Sequence, residues 1–260
     1  MKLTFIGSGS AFTLGTDNFH SNMLLSDDAN NRLLIDCGSD ARWALDKLGL
    51  SHKDITDVYI SHLHADHAGG LEWLAFTSKF DSSSKKPNLY ICEKLVTDLW
   101  DKVLSGGLNS LQMELATLES YYNVHSVHEN STFFWSTLEL RIIQTVHIVS
   151  GFTIMPSYGL FFNANDKNVF ITTDMQFSPH QIKDIYRKAD IIFHDCEITK
   201  EKSYVHAHYD ELLTLAPEIK SKIWLYHYNP SKLPDAKKDG FRGFVLRGQV
   251  FDFNDPDTLN

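Results

Sequence analysis

Apolar and polar residues along this chain fall into short blocks whose period switches between two and about three and a half. Residues 2–6 read as a strand that stops at the turn Gly7-Ser8-Gly9-Ser10. Two more strands are predicted at 20–25 and 32–36, separated by the polar turn Asp27-Asp28-Ala29-Asn30-Asn31. Ala41, Ala44, Leu45 and Leu48 have helical spacing, which predicts a helix over 40–48. The apolar strand 57–60 runs straight into Ser61-His62-Leu63-His64-Ala65-Asp66-His67-Ala68-Gly69-Gly70. Beyond it the pattern predicts helices at 71–80, 93–104 and 108–118, with a strand at 88–92. From residue 122 it turns strand-rich, with strands at 122–127, 138–145, 157–163 and 168–172. A helix at 179–188, a strand at 190–194, a helix at 209–216 and strands at 222–226 and 249–253 complete the order. Helices bracket strand-rich blocks in both halves, and no repeat or low-complexity linker divides them. The economical expectation is an α/β fold, one αββα sandwich domain over residues 1–260.

Composition narrows the function. The chain is 260 residues long, 43% hydrophobic and 22% charged, which excludes a disordered protein and provides for a sizeable core. No apolar run approaches the roughly 20 residues of a membrane-spanning helix. The first twelve residues lack the basic, apolar and cleavable regions of a secretory leader. Cys37, Cys92 and Cys196 are too few and too scattered for a disulfide framework and suit a reducing cytoplasm. The net charge of -9 disfavours electrostatic capture of a large nucleic acid.

The thirteen histidines draw attention to one segment. His62, His64, Asp66 and His67 stand together at the end of a predicted strand. Residues two apart on an extended segment point to the same side, so His62 and His64 can reach one ion. A turn at Ala65 brings Asp66 and His67 to a neighbouring point. Three imidazoles and a carboxylate in six residues suit zinc or a similar divalent ion.

This segment resembles the His-x-His-x-Asp-His signature of the metallo-β-lactamase superfamily, whose fold is an αββα sandwich with two metal ions at the sheet edge. The resemblance implies three further ligands in a set order. His147 follows the strand 138–145, Asp174 follows Val169-Phe170-Ile171-Thr172-Thr173, and His227 follows Ile223-Trp224-Leu225-Tyr226. By resemblance, His62, His64 and His147 hold one metal, Asp66, His67 and His227 hold the other, and Asp174 bridges them. Zn²⁺ suits these donors best, and Mn²⁺ or Fe²⁺ fit the same cage.

Two further features place the chain within the superfamily. The opening Phe5-Ile6-Gly7-Ser8-Gly9-Ser10-Ala11 is similar to that of the ribonuclease Z and cyclic-nucleotide phosphodiesterase branch, where backbone amides in such a turn could face a phosphate. His194-Asp195 and Val205-His206-Ala207-His208 resemble the His-Glu pair and the later histidine element of ribonuclease Z. The resemblance makes His206 the general acid, supported by Asp195, with His208 as a rival. Only 26 residues separate His147 from Asp174, which leaves no room for the transfer-RNA-gripping arm that ribonuclease Z carries there. Lys85-Lys86 and Lys237-Lys238 are short basic pairs rather than an RNA-binding surface.

A small phosphodiester is therefore the expected substrate. The chain is similar to phage anti-Pycsar enzymes, compact phosphodiesterases that destroy cyclic-nucleotide defence signals, in its opening turn, ligand order and short central interval. The expected reaction is hydrolysis of 3′,5′-cyclic mononucleotides, with Asp66 orienting the attacking hydroxide and His206 protonating the departing ribose oxygen. Phe152, Tyr158 and Trp73 are candidate rings for stacking the base. The branch also implies a homodimer. The competing expectations are a ribonuclease Z-like tRNA 3′-processing endonuclease, another small-ester hydrolase on the same core, and a metal-stabilised module that only binds a nucleotide.

Overall fold

The computed structural model describes residues 1–14 and 17–259. The opening block forms β1 (Lys2–Phe5), β2 (Met23–Ser26) and β3 (Arg32–Ile35), an antiparallel meander. α1 (Ala41–Asp46) then carries the chain to β4 (Asp57–Ile60), parallel to β3. α2 (Ala65–Ala68) and α3 (Leu71–Phe80) lead to β5 (Asn88–Cys92), again parallel. α4 (Glu93–Asp98) continues through a π-helical stretch, Leu99–Leu104, into α5 (Ser105–Leu108). A two-residue hairpin, β6 (Ser110–Leu111) and β7 (Glu114–Leu115), precedes β8 (Asn123–Val127).

The second half opens with β9 (Thr132–Trp135), β10 (Leu138–Ser150), β11 (Thr153–Ala164) and β12 (Lys167–Ile171), all antiparallel neighbours. α6 (Lys183–Lys188) crosses to β13 (Ile191–Asp195). α7 (Tyr209–Leu212) and α8 (Pro217–Lys220) cross to β14 (Ile223–Tyr226), and β15 (Gly243–Phe244) follows. These last three strands extend the sheet in parallel from β12. β16 (Val250–Asp252) returns to the first sheet beside β1. The result is two seven-stranded sheets, ordered β16-β1-β2-β3-β4-β5-β8 and β15-β14-β13-β12-β11-β10-β9.

The sheets meet through aromatic rings. Phe5 lies 5.2 Å from Phe193 and 5.3 Å from Tyr226, and Tyr59 stacks on Phe133 at 5.7 Å. Each such ring removed from water contributes roughly 1.5–3 kcal/mol, which makes this seam the main adhesive between the layers. Ala41, Ala44, Leu45, Leu71, Leu74 and Ala75 pack α1 and α3 onto the first sheet. Tyr186, Tyr209 and Leu212 pack α6 and α7 over Ile192 and Leu225 on the second. The αββα sandwich expected from the sequence is present.

Several boundaries differ from the sequence expectation. Residues 108–118 are not a helix. Met113 takes φ +65 and, with Leu115, is almost fully exposed, so their apolar spacing covers no core. The strands expected at 138–145 and 157–163 run further, meeting at an exposed turn around Gly151 and Phe152. β9 and β15 were not anticipated. In β9, Phe134 points outward and hides the alternation of Phe133 and Trp135. The helices expected at 179–188 and 209–216 are shorter, covering 183–188 and 209–212.

Candidate metal centre and active site

The predicted ligands other than His147 lie just past the carboxyl ends of strands, where both sheets open onto one edge. β4 stops at Ile60, and the extended residues that follow carry His62 and His64. His64 caps α2 with an extended backbone, so the turn begins at Ala65 and presents Asp66 and His67 from its first turn. His147 occupies a β-bulge: Val146 pairs with Pro156 and Ile148 with Met155, leaving the histidine without a partner residue and aimed inward. Asp174 and His227 follow β12 and β14. Asp36, Thr173 and His227 take φ of 62, 52 and 63, a costly conformation that here turns each chain sharply at a strand end.

The seven expected side chains converge. His64 Nδ1 lies 3.2 Å from His62 Nε2 and 3.1 Å from His147 Nε2, and Asp174 Oδ2 is 3.7 Å from each of those Nε2 atoms. On the other side, His67 Nε2 is 3.2 Å from Asp66 Oδ2 and 3.3 Å from Asp174 Oδ2. His227 Nε2 is 3.3 Å from Asp66 Oδ2 and 3.4 Å from Asp174 Oδ1. Donor atoms of a tetrahedral ion with bonds of about 2.0–2.1 Å sit roughly 3.3 Å from one another, so both sets have ligand spacing.

The chemistry of the donors also fits cations. His67 Nε2 and Asp174 Oδ1 are buried and make no hydrogen bond, a costly state unless an ion takes them up. Burial depresses the pKa of His62, His64 and His147, the last to about 4, which leaves bare lone pairs facing one point. For His67 and His227, burial works the same way, but the facing carboxylates outweigh it. Asp174 is the strongest of these, and His227 is held at about 10. That concentration of negative charge is what a divalent ion would neutralise in place of protons.

The opposite ring nitrogens are fixed by neighbours. His67 Nδ1 donates to Asp36 Oδ2 at 2.7 Å, and Ser61 Oγ donates to the same oxygen at 2.8 Å. His62 Nδ1 donates in turn to Ser61 Oγ at 3.0 Å, and His147 Nδ1 donates to the Val205 carbonyl at 2.9 Å. Each bond places the proton on Nδ1 and turns Nε2 toward the cluster. Asp36 was not singled out from the sequence, although it closes an apolar strand as Asp174 nearly does.

His206 and Asp195 stand beside the cluster. His206 Nδ1 donates to Asp195 Oδ2 at 2.9 Å, and Asp195 Oδ1 lies 3.4 Å from His227 Nδ1. Burial disfavours the charged ring, but Asp195 and then Asp174 outweigh it and raise the His206 pKa above the ordinary value. His208 is engaged elsewhere. Its Nε2 donates to the Thr199 carbonyl at 2.8 Å, and its Nδ1 accepts from the Asp210 amide as the cap of α7. A cavity of about 420 Å³ opens over the cluster, lined by His64, Asp66, His147, Asp174, His206 and His227. Phe12 is the ring on its wall. None of the three rings proposed from the sequence lines it: Tyr158 is buried, with its hydroxyl bonded to Glu129; Phe152 is exposed at the hairpin turn; and Trp73 packs with α3.

The opening glycine turn does not present its amides to a ligand. Gly7 donates to Asn22 O, Ser8 to Asn18 Oδ1, Gly9 to Phe19 O and Ser10 to Tyr228 O. Its glycines serve close packing instead: a Cβ on Gly7 would lie 2.2 Å from the His20 carbonyl oxygen.

These sheets, with their shared edge of histidine and aspartate, are of the metallo-β-lactamase type. The metallo-beta-lactamase fold protein YhfI from Bacillus subtilis is similar over 96% of this chain and 98% of that one, with a TM-score of 0.74 at 18% identity. The family described as Anti-Pycsar protein Apyc1 matches residues 1–251, and the chain belongs to it. An Anti-Pycsar protein Apyc1 of Paenibacillus harenae is 39% identical over 233 residues, covering 88% of this chain and 90% of the relative. One from Bacillus phage 010DV004 is 34% identical over 265 residues, covering 96% and 98%.

Proposed function

We propose that this chain is a metal-dependent phosphodiesterase that hydrolyses 3′,5′-cyclic mononucleotides and thereby removes a defence signal in a bacterial or phage-infected cytoplasm. Its family supports this, because relatives from bacteria and from Bacillus phages carry the name anti-Pycsar protein. The observation that carries the proposal is the His206–Asp195 pair, 2.9 Å apart and adjoining the donor sets His62, His64, His147, Asp174 and Asp66, His67, Asp174, His227. A ribose oxygen is a poor leaving group and needs a proton as it departs, and this pair is built to give one.

His62, His64 and His147 would hold one divalent ion, Asp66, His67 and His227 a second, and Asp174 both. Bound ions supply Lewis acidity at phosphoryl oxygens and lower the pKa of water. Zinc suits the donors best, and manganese or iron(II) fits them too. Asp66 accepts a hydrogen bond from the attacking water and orients it toward phosphorus. His206 keeps Nδ1 on Asp195 and donates the proton of Nε2 to the ribose oxygen as the ring P–O bond breaks. The two-residue turn between β10 and β11, which carries no inserted arm, and the net charge of -9 favour a small substrate over folded RNA. Free, buried Cys37, Cys92 and Cys196 accord with a reducing compartment. The exposed Met113 and Leu115 of the β6–β7 hairpin support assembly as a homodimer. Among the described residues no helix is long and apolar enough to cross a membrane.

A panel of cyclic mononucleotides assayed with native and chelated protein tests the proposal. Opening of at least one cyclic nucleotide, abolished by chelation, is expected. Inertness toward all of them alongside cleavage of precursor tRNA would overturn it.

A further inference from the structure

His194 is a fully buried histidine outside the donor sets, and both of its ring nitrogens are engaged. Nδ1 donates to the backbone carbonyl of Asp195 at 2.7 Å, and Nε2 lies 2.5 Å from the Tyr186 hydroxyl. Since Nδ1 carries the proton, Nε2 must accept from the tyrosine, which selects one neutral tautomer. Tyr186 is itself buried on α6, so the clamp is anchored in the layer that covers the second sheet.

The consequence falls on Asp195. Its amide donates to Thr172 Oγ1 at 3.0 Å and its carbonyl accepts from His194, so the residue is gripped on both sides at the last position of β13. Its carboxylate then divides its work. Oδ2 accepts from the Met175 amide and from His206 Nδ1, both at 2.9 Å, and Oδ1 faces His227. An error in the backbone of Asp195 would reach His206 through the hydrogen bond to Oδ2, whereas Oδ1 and His227 Nδ1 make no hydrogen bond to each other. An apolar residue at position 194 would pack against Ile192 and Tyr186 equally well but would leave a buried carbonyl without a donor.

We infer that His194, fixed by Tyr186, is a positioning residue that holds Asp195 in the orientation His206 requires for proton donation. The inference rests on the proposed phosphodiesterase chemistry, and it deepens that proposal by assigning the link between α6 and the acid. The imidazole does not meet the substrate. It acts through the Asp195 backbone, so its removal harms only reactions whose leaving group needs a proton. Asparagine at position 194 carries an amide nitrogen where His194 carries Nδ1 and can take over the bond to the carbonyl. Leucine cannot.

The test compares metal-loaded wild type, His194→Leu, His194→Asn and Tyr186→Phe. The substrates are a panel of 3′,5′-cyclic mononucleotides and bis(p-nitrophenyl) phosphate, whose nitrophenolate departs without a proton. On a cyclic nucleotide, His194→Leu is expected to lose about tenfold or more in kcat at nearly unchanged KM, a part of the roughly 10²–10⁴ that a general acid contributes. It keeps its nitrophenyl turnover, and His194→Asn recovers most of the lost rate. Tyr186→Phe, which removes a single oxygen, falls between wild type and His194→Leu. Nitrogen-15 spectra of metal-free wild type are expected to show His194 protonated on Nδ1 alone, and Tyr186→Phe to lose that single tautomer. Equal losses on both substrates, a His194→Asn enzyme as poor as His194→Leu, or a His194 protonated on Nε2 would overturn the inference. A wild type that opens no cyclic nucleotide would overturn the proposed function instead, and the tautomer would still decide for or against the clamp.

Discussion

Asp36 Oδ2 stands 2.7 Å from His67 Nδ1, with both side chains about 1% exposed. Asp36 also takes the Ser61 amide on Oδ1 and the Ser61 hydroxyl on Oδ2, and through that hydroxyl it reaches His62. One carboxylate thus sets the ring orientation of a histidine in each donor set. Partners of this kind typically change metal affinity by about 10–100-fold, so Asp36→Asn is expected to weaken both sites by that order. Competition with a coloured chelator measures it. An affinity equal to wild type would show that the rings hold their orientation without Asp36.

His206 lies outside the two donor sets expected from the sequence, although its Nδ1 stands 3.8 Å from Asp174 Oδ2. His206→Ala should retain its full metal complement and lose about 10²–10⁴ in kcat on a cyclic nucleotide. Elemental analysis beside steady-state kinetics reads both quantities. Loss of metal together with activity would assign His206 to the donors rather than to the acid.

The Gly7 prediction concerns stability alone. A methyl group there would meet the His20 carbonyl oxygen at 2.2 Å and the Phe19 carbonyl carbon at 2.6 Å, both of them backbone atoms with little freedom to yield. Gly7→Ala should therefore lower stability by about 1–3 kcal/mol, as overpacking does. The thermal midpoint reports it, and a midpoint matching wild type would mean that the turn yields freely.

A pH dependence follows from His194. Burial pushes its pKa below the ordinary histidine value, with the carbonyl and charge of Asp195 opposing only in part. Between its folded pKa and about 6.5 the unfolded chain binds a proton that the native protein refuses. This contribution to stability is intact above that window and is lost as pH falls through it. Urea midpoints at pH 7 and pH 5 should differ more for wild type than for His194→Asn, which has no proton to gain. Identical differences in the two proteins would remove His194 from the acid response.

The segment from His62 to His67 was readable from the sequence because four ligand-type residues in six positions rarely serve any other purpose. His147, Asp174 and His227 were weaker signals, since a lone polar residue after an apolar strand is common. Their order along the chain, set against a known signature, made them legible. Asp36 gave the same kind of signal but went unread, because its value lies in a contact with His67 made only when β3 and β4 align. The sequence left open whether the glycine turn faces a phosphate, because Asn18, Phe19, Asn22 and Tyr228, which receive its amides, approach only in the folded chain. Residues 108–118 bury Leu108, Ala116 and Leu118 but carry Met113 and Leu115 exposed on a hairpin, and spacing alone cannot tell such a segment from a helix face. Tyr186 and His194 are eight residues apart on different elements, so their 2.5 Å contact leaves no local trace.

The hairpin of β10 and β11 projects past its neighbours and turns at Gly151, with residues 149–154 all exposed. The bulge at His147 lies nearer the sheet than this turn, so chain spliced into the loop would grow outward while the histidine kept its aim. An insertion at this tip would therefore lengthen the hairpin without moving His147.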